Sequence, residues 1–578
     1  MKFLKVLIIA ALTFFVTSCD DDFLERSALD QITTDNYWKT SEDLKLYVNQ
    51  FYTAFPSWTP NAFNGGIYWH DQNSDNIIRQ NVDDRLAGNN TITTGNGSYN
   101  FRNIRTVNIF MANYDKVEDE FDTYKQYVGE ALFFRAYFNF SLLKRFGPYP
   151  YTNQVLNDTS EELYESRTPR DIIAQNIIAD LDQAIEYMQA DKNNNGNRLN
   201  RGVAQLFKAR VALYEGTWEK YHAGTSFGVD GSDGSTFLNI ATDAAKSLMD
   251  SGIYSLHNTG NPMEDYWKVF NQTDFSGSSE VMLWKSYSQE LSTAHNGQRY
   301  LSSSGGGRGI TQVLVNDYLC LDGQPIATSP LYKGDTTLVQ VATNRDPRLS
   351  QTIWLPGQDW RIEGGTVVET FEKSFLDASG ESVCPTGYQI RKGANPDWAQ
   401  RSGAGQGTTS SPIFRFAEAL LVYAEAKAEL GIITQADLDI SLNLLRDRAG
   451  MPPLAIGSIT TDPNWLFPDL SPIINEVRRE RHVELAAEGY RADDINRWAA
   501  HDELTVGKRY KGVRFDPVQF PDMVVGSEVL LDSDGYVDPL QGELPNGYQF
   551  DLTRDYLLPI PTDELTLNPN LTQNPGWE

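Results

Sequence analysis

Cysteine, histidine and positive charge are all scarce in this 578-residue chain, and each scarcity removes a class of function. Three cysteines and six histidines, with no CxxC pair and no Cys/His cluster, argue against a structural zinc site. No HExxH, Walker A or dinucleotide-binding fingerprint occurs, and no cofactor is expected. Lysine and arginine number 49 against 77 acidic residues, for a formal net charge of −28. Such a surface repels phosphate backbones, which argues against nucleic-acid binding through a basic face and against electrostatic attachment to anionic lipid. Beyond the N-terminus no apolar run reaches the ~20 residues of a membrane-spanning helix.

The N-terminus is rich in information. Lys2 and Lys5 precede an apolar run over residues 6–16, and Val16-Thr17-Ser18 leads into Cys19. The run is too short to span a bilayer and reads as a secretory signal. A cysteine directly after small residues resembles a bacterial lipobox. Residues 1–18 are therefore expected to be a lipoprotein signal peptide, Cys19 the acylated residue, and 19–34 an anchor and tether that includes Asp20-Asp21-Asp22. Cys320 and Cys384 remain, and could pair in an oxidising compartment if their Cα atoms are close enough.

Hydrophobic residues make up 40% of the chain and aromatics 12%, enough to fill a large core. Helical periodicity predicts elements over 35–55, along Val128, Leu132, Ala136 and Leu143 up to Gly147-Pro148, and from a Thr168 cap along Ile173, Ile177, Leu181, Ala184 and Met188. Further helices are expected over 202–214, ending at Gly216, and over 236–251, 412–430, 435–448 and 472–488. Two helix starts about 32 residues apart, near 170 and 202, resemble a degenerate tetratricopeptide unit, whose period is about 34. Residues 258–410 differ: glycine-rich turns such as 303–309, strand-like pieces at 281–284 and 313–319, and scattered Trp354, Trp360 and Trp398. The expected fold is mainly α, with tetratricopeptide-like helical repeats in one unit over 35–578 and a loop-rich insertion, containing short strands, at about 258–410.

Catalytic signals are weak. Gly224-Thr225-Ser226-Phe227-Gly228 matches G-x-S-x-G, but it follows a helix and runs into a loop, whereas that elbow needs a strand-to-helix turn. Asp532, Asp534 and Asp538 space like part of a calcium loop, but the closing Glu is missing and an acidic surface turn is the better reading.

The two ends are more specific. Phe23-Leu24-Glu25-Arg26 with Asn36-Tyr37-Trp38, the closing Tyr556-Leu557-Leu558-Pro559-Ile560-Pro561, and Gln573-Asn574-Pro575-Gly576-Trp577 resemble SusD/RagB-type outer-membrane lipoproteins. Phe146-Gly147-Pro148, Arg415-Phe416-Ala417-Glu418, Leu445-Arg446-Asp447-Arg448 and Glu480-Arg481-His482-Val483-Glu484 fit in the same order. The resemblance implies an α-α superhelix of four helix pairs, and a non-enzymatic protein of the outer-membrane surface. Such a protein captures oligo- or polysaccharide for a SusC-like TonB-dependent transporter while held by a lipid anchor. The acidic triplet after Cys19 looks like a surface-export signal, which would face the protein to the cell exterior. Arg415, Glu418, Glu425, Arg446 and Arg481 are expected to form buried ion pairs between helices. A lipid-anchored glycoside hydrolase and a protein-binding scaffold without a sugar site are the alternatives.

Sugar rings present C–H faces rimmed by hydroxyls, so a site wants aromatic faces beside planar polar groups. The resemblance implies glycan contacts from the loops carrying Trp69, Asp71, Arg79 and Tyr99, with Asp71 and Arg79 as the polar pair. A second contribution is expected from Tyr287 and Tyr300, and next from Trp354 or Trp360.

Overall fold

The computed structural model describes residues 37–58, 62–79, 81–95 and 97–578. The signal stretch, Cys19, the tether and the motif residues 23–26 and 36 lie outside the described residues.

Helices dominate. The first, α1 (Ser41–Asn49), opens on a Thr40/Asp43 capping box, which satisfies two backbone donors that the first turn leaves unpaired. It packs, with α2 (Arg102–Met111), on the 26-residue α3 (Phe121–Phe146). Phe133, Phe134, Phe138 and Phe140 bury α3 on nearly every side, as expected for a helix surrounded by others. Next come α4 (Arg170–Tyr187), α5 (Arg201–Tyr221) and α6 (Ser235–Asp250), each packed on its predecessor. After a short helix, α7 (Gly297–Ser302), the regular helices resume with α8 (Phe416–Glu429), α9 (Leu442–Arg448), α10 (Pro472–Glu484) and α11 (Arg491–Arg497). Helix α8 lies against both α6 and α10, which continues the stack.

Six short strands among the described residues form three two-stranded antiparallel sheets. Ile77–Arg79 (β1) pairs with Arg308–Ile310 (β3), Val281–Lys285 (β2) with Ser411–Arg415 (β6), and Asp359–Glu363 (β4) with Thr366–Thr370 (β5). One apolar core fills the helical stack. A second, built on Trp58, Tyr68, Trp69, Trp354 and Trp360, lies beneath the loops.

Several local expectations shift. Thr168 does not cap α4: Pro169 precedes the helix without a side-chain cap, and the Thr168 hydroxyl accepts from Tyr151 N instead. Residues 412–415 are strand, not helix, because they pair with β2. Residues 313–317 are helical, not strand, since the Thr311 side chain caps Leu314 N. Gly216 does not end α5, which continues to Tyr221. A Cβ there would meet Leu238 N at 2.8 Å and the Gly234 carbonyl at 2.9 Å, so this glycine lets α5 touch the entry to α6. Cys320 and Cys384 are both buried and free.

Charged residues tie the two cores together. Glu484 accepts from Arg448 (2.6 Å), Arg415 (2.7 Å) and Arg348 (3.0 Å). Arg415 also reaches Glu280 and Glu488, Arg446 reaches Glu480, and Arg481 reaches Asp494. Glu418 takes Arg210, and Glu425 takes Arg497. The five residues expected to form buried pairs do so, as burial of charge requires. The C-terminal tail closes the far end: Leu558 N donates to Arg145 O, Asn574 to Phe146 O, and the Trp577 indole to Leu557 O.

Candidate functional site

The loops over the second core bring an aromatic side chain and an unmatched guanidinium together. Antiparallel pairing of β1 with β3 sets Arg79 opposite Arg308. Arg308 Nε donates to Gln72 Oε1 at 3.0 Å and Nη1 to Gly306 O at 2.8 Å. Its guanidinium carbon lies 4.7 Å from the Phe63 ring centre and 5.1 Å from that of Trp69. No carboxylate pairs with Arg308 among the described residues, and burial, with Arg79 nearby, lowers its pKa to about 10. The Tyr300 ring, on α7, sits 5.2 Å from Phe63, and its hydroxyl, raised in pKa mainly by partial burial, lies 3.5 Å from Glu381.

Backbone contact fixes this ledge. Gly305 N donates to Ser382 O at 2.7 Å and Gly307 N to Val383 O at 3.0 Å. A Cβ on Gly305 would stand 2.4 Å from Cys384 N, and Gly306 takes φ +64° against the Trp69 ring, so the glycine-rich turn is a close-packing device. Beside it Arg401 reaches Ser303 Oγ at 3.5 Å and Trp360 O at 2.5 Å. Trp398, three residues before Arg401, is 36% exposed with Arg361 4.3 Å over its ring. The assembly offers aromatic faces, guanidinium donors, an amide and hydroxyls, a set suited to a polyhydroxyl ligand.

Of the residues expected to bind glycan, Trp69, Arg79 and Tyr300 come together here, in different capacities. Tyr300 and Arg79 are partly accessible. Trp69 is 1% exposed, its indole N–H bound to Ala62 O at 3.0 Å, and it supports the ledge from below. Asp71 is a correction: fully buried, it accepts from the backbone N–H of Ala487 (2.6 Å), Gly489 (2.9 Å) and Arg491 (3.3 Å), and from Asn76. It anchors the turn into α11, so it is not the surface partner of Arg79. Tyr99 is 5% exposed, edge-on to Phe101 and Phe146 in the helical core, away from the ledge elements. Tyr287, 7% exposed, accepts from Trp58 N at 2.9 Å and lies 3.1 Å from Ser411 Oγ. Trp354 and Trp360 pack together, and the Trp354 indole donates to Leu301 O beneath α7. Burial removes the stacking faces of all four aromatics.

Phe63, Gln72, Arg308, Trp398 and Arg401 are the ledge residues that sequence reasoning did not select. The one hint for Trp398 was its place after Asn395-Pro396-Asp397, where Asp397 caps a single turn. Neither catalytic pattern is assembled. Ser226 is exposed in a turn after α5. Asp532 accepts the N–H groups of Asp534 and Tyr536, and Asp538 is taken by Arg509 and Lys511. Among the described residues no three or more His, Cys, Asp or Glu side chains form a metal-binding group, and no helix is long and apolar enough to cross a membrane.

A helical stack carrying a loop-built ledge defines the class, and sequence comparison names it. The SusD family model matches residues 268–577, and a second model, described as starch-binding associating with outer membrane, matches 22–213. The chain belongs to the SusD family. It is 25% identical, over the full length of both chains, to SusD-like protein P2 of Formosa agariphila. It also resembles a SusD-like protein of Bacteroides fragilis NCTC 9343, at 22% identity and TM-score 0.69, covering 95% of this chain and all of that one. A SusD-like carbohydrate binding protein of the same strain gives 22% identity and TM-score 0.69, covering 93% of this chain and all of its own.

Proposed function

We propose that this protein binds oligo- or polysaccharide at the outer-membrane surface and passes it to a SusC-like TonB-dependent transporter, without itself catalysing a reaction. The observation that carries the reading is the ledge of Tyr300 and Phe63 beside Arg308, a guanidinium with no carboxylate to neutralise it among the described residues. A sugar ring would lie on the aromatic face while Arg79 and Gln72, both partly accessible, meet its hydroxyls; Arg308, 5% exposed, would reach it only through Nη2, its one guanidinium nitrogen without a bond among the described residues. The family assignment supports the reading, as do the outer-membrane wording of the matching model and the carbohydrate-binding description of the Bacteroides fragilis relative. Cys19 would carry the lipid that holds the protein beside the transporter.

Affinity electrophoresis through neutral plant, algal and host polysaccharides tests this. At least one should retard the wild-type protein, and Arg308→Gln should move freely in that same gel. Hydrolysis of the retarding polysaccharide would replace the reading with an enzyme. Copurification with the transporter without any glycan binding would replace it with a scaffold.

A further inference from the structure

A second cleft, built from different elements, departs from the electrostatic character of the rest of the chain. It lies between α1, the 193–198 loop, the end of β2 and β6, with a cavity volume of about 410 Å³. Three of its lining residues are cationic (Lys45, Arg198 and Lys285) and none is acidic, in a chain with 77 acidic residues against 49 basic ones. The three cations are not equivalent. Arg198 is fully engaged, its Nε and Nη2 on Glu130 at 2.7 and 2.8 Å and its Nη1 on Asn49 at 2.8 Å. Lys45 has Glu42 at 3.1 Å. Lys285, half-buried at the end of β2, pairs through its backbone with Ser411, but its ammonium has no hydrogen bond or ion pair among the described residues.

A half-buried ammonium without a counter-charge is costly, and a ligand anion relieves that cost. Burial lowers the Lys285 pKa, and no carboxylate among the described residues offsets it. The remaining wall suits a sugar. Tyr52, partly accessible, supplies aromatic surface alongside the buried Trp284, and the Asn49 and Ser286 side chains supply polar rim. We propose that this cleft is a second saccharide site, selective for a ring bearing a carboxylate or sulfate group, which Lys285 neutralises.

The net charge of the protein makes the test clean. At −28 the chain as a whole is repelled by a polyanion, so retardation in a polyanionic gel reports a local cationic site. The mature protein is run through native gels containing polygalacturonate, dextran sulfate or unmodified dextran. Retardation is expected in at least one polyanion and not through dextran, and which polyanion retards distinguishes carboxylate from sulfate. Lys285→Gln should weaken that binding by about tenfold to a hundredfold, the span of a hydrogen bond to a charged group. Ser286→Glu, which places an acid at the rim, should do the same. Both variants should keep the wild-type unfolding temperature and any neutral-glycan binding, whereas Arg308→Gln should leave the polyanion retardation intact. No retardation in either polyanion, or retardation that survives Lys285→Gln, would overturn the proposal while leaving the Tyr300 ledge untouched.

Discussion

Trp69 lies against Arg308 and Tyr300 against Phe63, yet replacing them should have opposite consequences. The Trp69 indole is enclosed, with the Gly306 turn against one edge and Arg308 5.1 Å from its ring centre. Trp69→Ala therefore empties a large core volume and should cost about 3–5 kcal/mol of stability. The lost indole donor adds little, because Ala62 O keeps its bond from Gly66 N at 2.9 Å. Tyr300 is half-buried, and its main internal contact is the Phe63 ring pair, worth about 0.5–1.5 kcal/mol. Tyr300→Ala should then cost about 1 kcal/mol of stability but remove an aromatic anchor for the ligand. Loss of such an anchor at about 2 kcal/mol corresponds to about thirtyfold in affinity. Circular dichroism melting should show a large drop in midpoint for Trp69→Ala and only a small one for Tyr300→Ala. Titration calorimetry with a retarding glycan should show the affinity loss in a fully folded Tyr300→Ala. A Trp69→Ala protein that melts like wild type but no longer binds would refute the reasoning, since the indole face would then have to be open to ligand.

Two further outcomes follow from the buried charges. Glu484 holds three guanidiniums, so Glu484→Gln should lose about 3–5 kcal/mol in denaturant unfolding, whereas Glu42→Gln, at the exposed Lys45 pair, should lose at most about 1 kcal/mol; equal midpoints would contradict the network's role. Glu219 is buried with Oε1 unpartnered and Oε2 accepting from Ser232 at 2.5 Å, and burial lifts its pKa from 4.5 to about 7. The folded protein thus binds more protons than the unfolded chain between those values, so this group's contribution is complete below pH 4.5 and is lost as pH rises to about 7. Glu219→Gln should flatten that part of the stability profile and raise the melting temperature at pH 8; an identical pH profile in both proteins would rule this out.

Helices were legible where one face is apolar and the ends carry chemistry, as along Ile173, Ile177 and Leu181 or at Gly147, where α3 stops. The misreadings have a common cause. Gly216 reads as a terminator locally, but the approach of α6 decides its role, and residues 412–415 read as helix until β2 pairs with them. The paired signature residues, Arg415 to Arg481, were legible as structural through the family resemblance, and their burial is why each has a partner of opposite charge. The ledge was legible only in part. An aromatic residue's type is the same whether it lies under a loop or on it, so Trp69 and Trp398 look alike in sequence, and their exposure is fixed by which loop closes over them. Asp71 misled for a related reason: a carboxylate beside an aromatic suits a sugar, but it suits a cluster of backbone N–H groups equally well.

That reassignment of Asp71 bears on how the ledge would bind. The segment from Trp69 to Arg79 is short and has little regular structure, yet it is cross-linked along its length. Asp71 holds the backbone of 487–491, Asp75 pairs with Arg491 at 2.6 Å through both oxygens, Thr311 N donates to Asn76 O at 3.0 Å, and β1 then pairs with β3. The opposite wall, 303–307, is fastened to 382–383 by backbone hydrogen bonds. A ligand meeting this surface has few backbone torsions left to freeze, and ordering of loops is a main cost of binding. If the ledge is the binding surface proposed above, the buried charges also serve recognition. They cross-link irregular loops to the helices, so in the proposed binding mode a small number of aromatic and guanidinium contacts would suffice for capture without a tight grip that would oppose release.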